Sequence, residues 1–223
     1  MIEYVFTLDD GTIHRFEVDL ERIFDPSLAS AEHAVWTKLD CQQCSNCPLK
    51  LTEHCHCPAA VDLEGIIPIF QKLFSCQKVM VEVRTPRRTY LKHCDVQTGL
   101  ASLLGLVMAT SACPILSRLK GLAYFHLPFA SVEETAFRTT SAYLLSQHFR
   151  YKEGREPDQE LTGLVDFYKQ LRILDECFKK RLEVTAVQDA SMNALVSLWA
   201  ISMRLTYSIE DHLMELKGLF PPT

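Results

Sequence analysis

The chain lacks the signatures of the common enzyme classes. It contains no G-x-G-x-x-G, no P-loop and no G-x-S-x-G, so classical nucleotide binding and serine hydrolysis have no signal. No C-x-x-C-H occurs, which argues against a covalent c-type haem. Glu133, Glu134, Arg138 and His148 share one expected helix but form no Glu-x-x-His pair, so a ferritin-type di-iron bundle has no support. No catalytic constellation is recognised.

Positive charge is also short. Lys and Arg number 23 against 28 Asp and Glu, which leaves a formal charge of -5 and a pI of about 5.9. That balance argues against a non-specific grip on nucleic acid or anionic lipid. The one basic turn, Arg84, Arg87, Arg88 and Lys92 with Tyr90, reads as a solvated hairpin tip. Residues 1–20 are acidic and interrupted, without the basic and then apolar pattern of a secretory leader. The expected compartment is the reducing cytoplasm.

Val96–Ser117 carries no charge, yet it is not expected to span a membrane. It holds Gln97, Thr98, Ser102, Thr110, Ser111 and Pro114, and it lacks a basic flank and interfacial aromatics at both ends. Gly99, Ala101, Gly105 and Ala109 suit a core helix that neighbours approach closely. No repeats, low-complexity segments or long linkers divide the chain.

Hydrophobic residues make up 48% of the 223, enough for a real core without help from metal or disulfides. Two segments alternate in the manner of hairpins. In the first, Ile2, Tyr4 and Phe6 face one way, Asp9-Asp10-Gly11 turns, and Ile13, Phe16 and Val18 return. In the second, Lys78–Arg84 runs through the turn Thr85–Arg88 to Thr89–His93. The two hairpins are expected to pair as a four-stranded antiparallel sheet. Short helices are expected at Ser27–Lys38 and at Val61–Phe74, the latter kinked or delayed by Pro68.

After Asp95 the pattern is helical. Ser131-Val-Glu-Glu134 is a capping box opening a helix to about Tyr151, and Gly154 is a stop. Pro157-Asp158 opens a helix to about Val184, and Asp189 caps a last one through Asn193–Leu216. The expectation is an α+β protein in one unit. Residues 1–94 carry the small sheet and a Cys-rich loop, and 95–223 form a helical bundle.

What the chain does have is a dense set of metal ligands. Cys41, Cys44, Cys47, His54, Cys55, His56 and Cys57 fall within seventeen residues, in a chain with nine cysteines and eight histidines. In a reducing compartment such clustering favours metal over disulfides, and an odd cysteine count leaves one thiol over in any full disulfide scheme. C-x2-C brings two sulfurs within reach of one ion when the backbone turns tightly. If residues 54–57 are extended, Cys55 and Cys57 share one side, and His54 and His56 the other.

Three cysteines precede proline: Cys47-Pro48, Cys57-Pro58 and Cys113-Pro114. Proline fixes its own φ and removes a donor, so each of these cysteines sits in a stiff, non-helical bend that suits a ligand. The set ranked first is therefore Cys44, Cys47, Cys57 and Cys113. Cys41, Cys55, His54, His56 and His126 are reserves. Cys76, Cys94 and Cys177 are read as small apolar core residues, because free cysteine buries readily. His126, in the apolar stretch Tyr124–Phe129, is read first as a satisfied packing residue.

Four thiolates satisfy tetrahedral Zn2+, and a structural site of that kind contributes roughly 10 kcal/mol or more to folding. The same four satisfy a [4Fe–4S] cluster, although the ferredoxin C-x3-C-P continuation is missing. Zinc is placed first because it asks less of the surrounding chain. The expected function is a non-catalytic metal-binding protein, an interaction or regulatory module with another protein as partner. The alternative is an iron–sulfur redox or electron-transfer protein.

Four stretches also carry a resemblance. They are Trp36-Thr-x-Leu39, Gln43-Cys-Ser-Asn-Cys-Pro-Leu49, the run Ser102–Pro114 and Phe125-His-Leu-Pro-Phe-Ala-Ser131. In these the chain resembles a family of uncharacterised bacterial proteins, over most of its length. The resemblance implies one intact unit and supplies no catalytic residue. It also implies that Cys41 and Cys55 are less typical of the family's pattern.

Overall fold

The computed structural model describes residues 1–22, 32–184, 189–207 and 209–220. The first hairpin is β1 (Ile2–Leu8) and β2 (Ile13–Val18), with Ile2 opposite Val18 and Tyr4 opposite Phe16. Leu8 N–H donates to Thr12 O at 2.9 Å, closing a three-residue loop in which Gly11 takes φ 86°. Glycine holds that left-handed position at no steric cost.

The second hairpin is β3 (Lys78–Arg84) and β4 (Thr89–Asp95). Thr85 Oγ1 orders its tip by accepting the N–H groups of Arg87 and Arg88. β1 also pairs with β3, antiparallel, so the sheet order is β2-β1-β3-β4. This is the expected four-stranded sheet. Arg84 at the basic turn is held by Glu3 and Glu82, and Arg87 and Arg88 are solvent-exposed.

One face of the sheet is covered by helix α3, Val96–Ala109, which leaves β4 without a loop, while α1 and α2 are the short helices Pro58–Leu63 and Ile67–Phe70. Gly99 is the point of closest approach. A Cβ there would stand 2.7 Å from Val81 Cγ2 and 2.9 Å from Phe6 Cε1. Tyr4, Phe6, Val79, Val81 and Val83 are fully buried beneath it. Burying each such side chain is worth roughly 1.5–3 kcal/mol.

α3 stops at Ala109, where Thr110 Oγ1 turns back to donate to Leu106 O. Arg22 caps that end by donating to Val107 O and Thr110 O, and it pairs with Asp62 of α1 at 3.1 Å. Among the described residues no helix is long and apolar enough to cross a membrane.

The remaining helices are α4 (Lys120–Tyr124), α5 (Val132–Lys152), α6 (Thr162–Glu183), α7 (Ala190–Tyr207) and α8 (Ile209–Lys217). The capping box at Ser131 forms as expected, with Ser131 Oγ accepting Glu134 N–H and the Glu134 carboxylate accepting Ser131 N–H. Gly154, at φ 74°, follows the end of α5. α6 buries Leu164, Phe167, Leu171, Leu174, Phe178 and Leu182 along one stripe. α7 packs against both α3 and α6, and one contiguous apolar core joins the sheet to these helices.

Three expectations are corrected. Of Ser27–Lys38, residues 27–31 lie outside the described residues, and the rest holds only one 3-10 turn at Val35–Thr37. Val61–Phe74 is not one helix but α1 and α2, because Pro58 and Pro68 each occupy a first-turn position where the missing N–H costs nothing. α6 starts later than Pro157. The Asp158 carboxylate accepts from Gly163 N–H in the first turn of α6 and from Tyr143 Oη, and Leu161 at φ 58° turns the chain into the helix.

Candidate metal centre

Cys44 and Cys47 lie on a tight turn closed by Cys47 N–H donating to Cys44 O at 2.9 Å. Asn46 Nδ2 donates to Gln170 O at 3.0 Å, which ties this turn to α6, the helix that also carries Cys177. Cys57 is the N-cap of α1, with Pro58 directly after it. Its own N–H donates to Thr37 O at 2.8 Å, and Leu39 N–H donates to Cys55 O at 2.9 Å. Cys113 lies four residues past the end of α3 and is 8% exposed.

Two of the three proline-followed cysteines, Cys57 and Cys113, share one electrostatic setting. The backbone amides of Ala60 and Ala59 favour the Cys57 thiolate, and those of Leu116 and Ile115 favour the Cys113 thiolate, each against the larger effect of burial. Amides aimed at a sulfur stabilise its thiolate form.

Charge around the sulfurs runs the other way. Burial pushes the Cys44 thiol well up, and the thiols of Cys177, Cys57, Cys47 and Cys113 push it further. Burial also raises Cys57 and Cys113, and each of these is acted on by Cys47. Cys44, Cys47, Cys57 and Cys113 therefore come from three separate segments into mutual electrostatic range. Their side chains are not drawn into coordination: among the described residues, no three Cys, His, Asp or Glu groups could hold a metal ion as they stand. Electrostatic range is several ångströms longer than coordination, since tetrahedral zinc at 2.3 Å from each sulfur puts the sulfurs about 3.8 Å apart.

Arg181 of α6 was not singled out in the sequence. It is 1% exposed. Its guanidinium donates to Trp36 O at 2.7 Å, Lys38 O at 2.5 Å and Leu39 O at 3.4 Å. Among the described residues it has no carboxylate within 4 Å. Its positive charge acts on Cys57 and favours that thiolate. A buried guanidinium without a carboxylate is costly unless some other anion offsets it. The only signal for it was an arginine on the apolar stripe of a helix.

The other cysteines and histidines are placed as follows. Cys41 is half-buried and Cys55 exposed. Around His56 the chain runs extended, in an isolated antiparallel bridge with Lys38, so residues 55 and 57 flank one bridge position while Cys55 is exposed and Cys57 half-buried. The groups that act most on Cys44 include none of Cys41, Cys55, His54 or His56. His56 Nδ1 is 2.8 Å from Thr37 Oγ1, and its ring lies 5.0 Å from that of His33. His126 is remote from this loop, with Nε2 2.5 Å from Tyr4 Oη. Cys94 is buried in β4, as a core residue should be. Cys76 is exposed, contrary to the core reading. Cys177 is half-buried and stands first among the thiols acting on Cys44, so the core reading overlooked its neighbourhood.

Fold and thiol cluster together define an α+β protein whose cysteine-rich loop is docked on a helical layer. The chain belongs to a family described as a domain of unknown function, DUF6901, whose model matches residues 2–221. Neither a curated protein nor a solved structure matches it.

Proposed function

We propose that the protein binds one metal ion through Cys44, Cys47, Cys57 and Cys113, in the reducing cytoplasm, and that the ion is structural zinc. What supports this reading is that Cys44, Cys47, Cys57 and Cys113, from three chain segments, lie within electrostatic reach of one another, with Cys113 in the core and Cys44 and Cys57 packed against it. Two further features support it. Nearby backbone amides favour the thiolate forms of Cys57 and Cys113. Arg181 supplies a buried positive charge beside Cys57, which offsets part of the double negative charge of a zinc tetrathiolate. The reading requires the sulfurs to contract on metal entry, and Cys177 stands by as a fifth thiol.

Such an ion would join the loop, α1 and the segment after α3. With four thiolates no coordination position is open, so the centre organises structure and does not act as a Lewis acid. The module then acts through its surface on another protein. Phe137, Leu144, Leu145 and Phe149 on α5 are each more than 40% exposed and offer apolar contact for it.

Anaerobic purification with elemental analysis and visible absorption tests the reading. Colourless protein with one zinc per chain supports it. Brown protein with iron and sulfide would replace zinc by a [4Fe–4S] cluster and make the protein a redox carrier. Protein that carries no metal and takes up none when reduced would sink both.

A further inference from the structure

Away from the thiols, the helical layer lines a partly open pocket of about 310 Å³. Its floor is α3, at Ala101, Gly105 and Leu106, and its walls include Leu119, Leu171 and Leu198. The residues between α4 and α5 close one end, where His126, Phe129 and Arg138 line it. A mostly apolar chamber with a few convergent polar groups at one end is the usual form of a small-molecule site.

The polar groups at that end are unequal. Tyr4 Oη, buried under the sheet, lies 2.7 Å from Ser102 Oγ and 2.5 Å from His126 Nε2. Ser102 Oγ also accepts Phe129 N–H at 3.2 Å. This network satisfies itself. Arg138 is different. It donates from one terminal nitrogen to Leu122 O at 3.0 Å and Phe125 O at 2.7 Å, which fixes its guanidinium at the cavity wall. Among the described residues no carboxylate lies within 4 Å of it. The nearby Glu134 carboxylate is taken up by the capping box. Burial pulls the Arg138 pKa down, which marks a cation held in a poorly solvated place.

A carboxylate, Asp175, also lines the cavity, from α6. Tyr168, also in the lining, is acted on electrostatically by both Arg138 and Asp175. An anionic ligand head is favoured beside Arg138. Volume sets the scale of what the pocket can cover. At roughly 30 Å³ per heavy atom, that is about ten atoms.

We propose that this cavity binds a small carboxylic acid with an apolar tail, its carboxylate on Arg138 and its tail against α3, α6 and α7. The site is independent of the thiol centre. Octanoate, which has ten heavy atoms, is the probe, and octan-1-ol is its uncharged control. Calorimetric titration of the full chain should give saturable one-to-one binding of octanoate, with octan-1-ol at least fivefold weaker. Hexanoate should bind about sixteenfold more weakly than octanoate, from roughly fourfold for each of two methylenes. Arg138→Gln should weaken octanoate at least fivefold and leave octan-1-ol unchanged, and retained octan-1-ol binding shows that the variant is folded. The wild-type series decides the matter if that variant fails to fold. Absence of saturable octanoate binding, or octan-1-ol binding within fivefold of it, overturns the proposal.

Discussion

Arg181→Met removes the buried guanidinium that joins α6 to the chain before the cysteine loop. Methionine fills much of the same space and carries no charge, so the loss is in hydrogen bonding more than packing. The variant leaves the carbonyls of Trp36, Lys38 and Leu39 without their donor. The bonds to Trp36 O and Lys38 O, at 2.7 and 2.5 Å, are strong, and that to Leu39 O at 3.4 Å is weak. A buried acceptor left unsatisfied costs about 1–3 kcal/mol. Relief of the desolvation of Arg181 itself acts in the opposite sense. Counting about 1.5 kcal/mol for each strong bond gives a net loss near 3 kcal/mol. For a chain of this size that lowers the melting temperature by about 6–12 °C. Thermal and urea unfolding followed by circular dichroism measure it. Arg181→Lys keeps the charge but cannot fork to three carbonyls, so it should fall between the two. An Arg181→Met protein within 1 kcal/mol of the wild type would refute the claim that this guanidinium holds the segment in place.

Cys44→Ser should abolish stoichiometric zinc while Cys55→Ser retains it, because Cys44 is surrounded by thiols and Cys55 is exposed; equal metal content in the two variants would count against the ligand set. Gly99→Ala should destabilise by about 1–3 kcal/mol despite alanine's better helix propensity, because its Cβ meets Val81 and Phe6, and a melt no lower than wild type would contradict that packing. Burial, with the positive charge of Arg138 nearby, pulls the His126 pKa down to about 4. The unfolded chain, with a histidine pKa near 6.5, then binds the extra proton between these values. His126's contribution is thus fully present above pH 6.5 and declines by about 1.4 kcal/mol per pH unit as pH falls toward 4. His126→Gln should flatten that part of a urea-midpoint profile, and an unchanged slope would show that His126 does not carry it.

Local signals determined much of this architecture. Alternation and turn residues determine both hairpins, because the side-chain period of a strand and the turn chemistry of Gly11 act over a few residues. The capping box at Ser131 and the stop at Gly154 delimit α5 for the same reason. The proline breaks show where helices stop, yet whether Pro68 kinks one helix or opens another depends on which apolar face finds a partner. The start of α6 was unreadable because Asp158 is drawn to Tyr143 on α5, a contact that no local pattern encodes.

The cysteines divide in the same way. That Cys57 and Cys113 lie outside regular helix and strand follows from the proline after each one. That these two approach Cys44 and Cys47 follows from α3 crossing the sheet and from the loop docking on α6. Only the packed structure brings Cys177 to Cys44 and Arg181 to Cys57, from a helix more than a hundred residues downstream. On the sequence both read as ordinary helix residues, because spacing along one helix says which face a side chain occupies and not what that face will meet. The sequence by itself determined both hairpins, the limits of α5 and the positions of the proline-followed cysteines. Tertiary packing alone decided which thiols share a neighbourhood, which cation is buried beside them, and that a cavity lies open on the far side of α3.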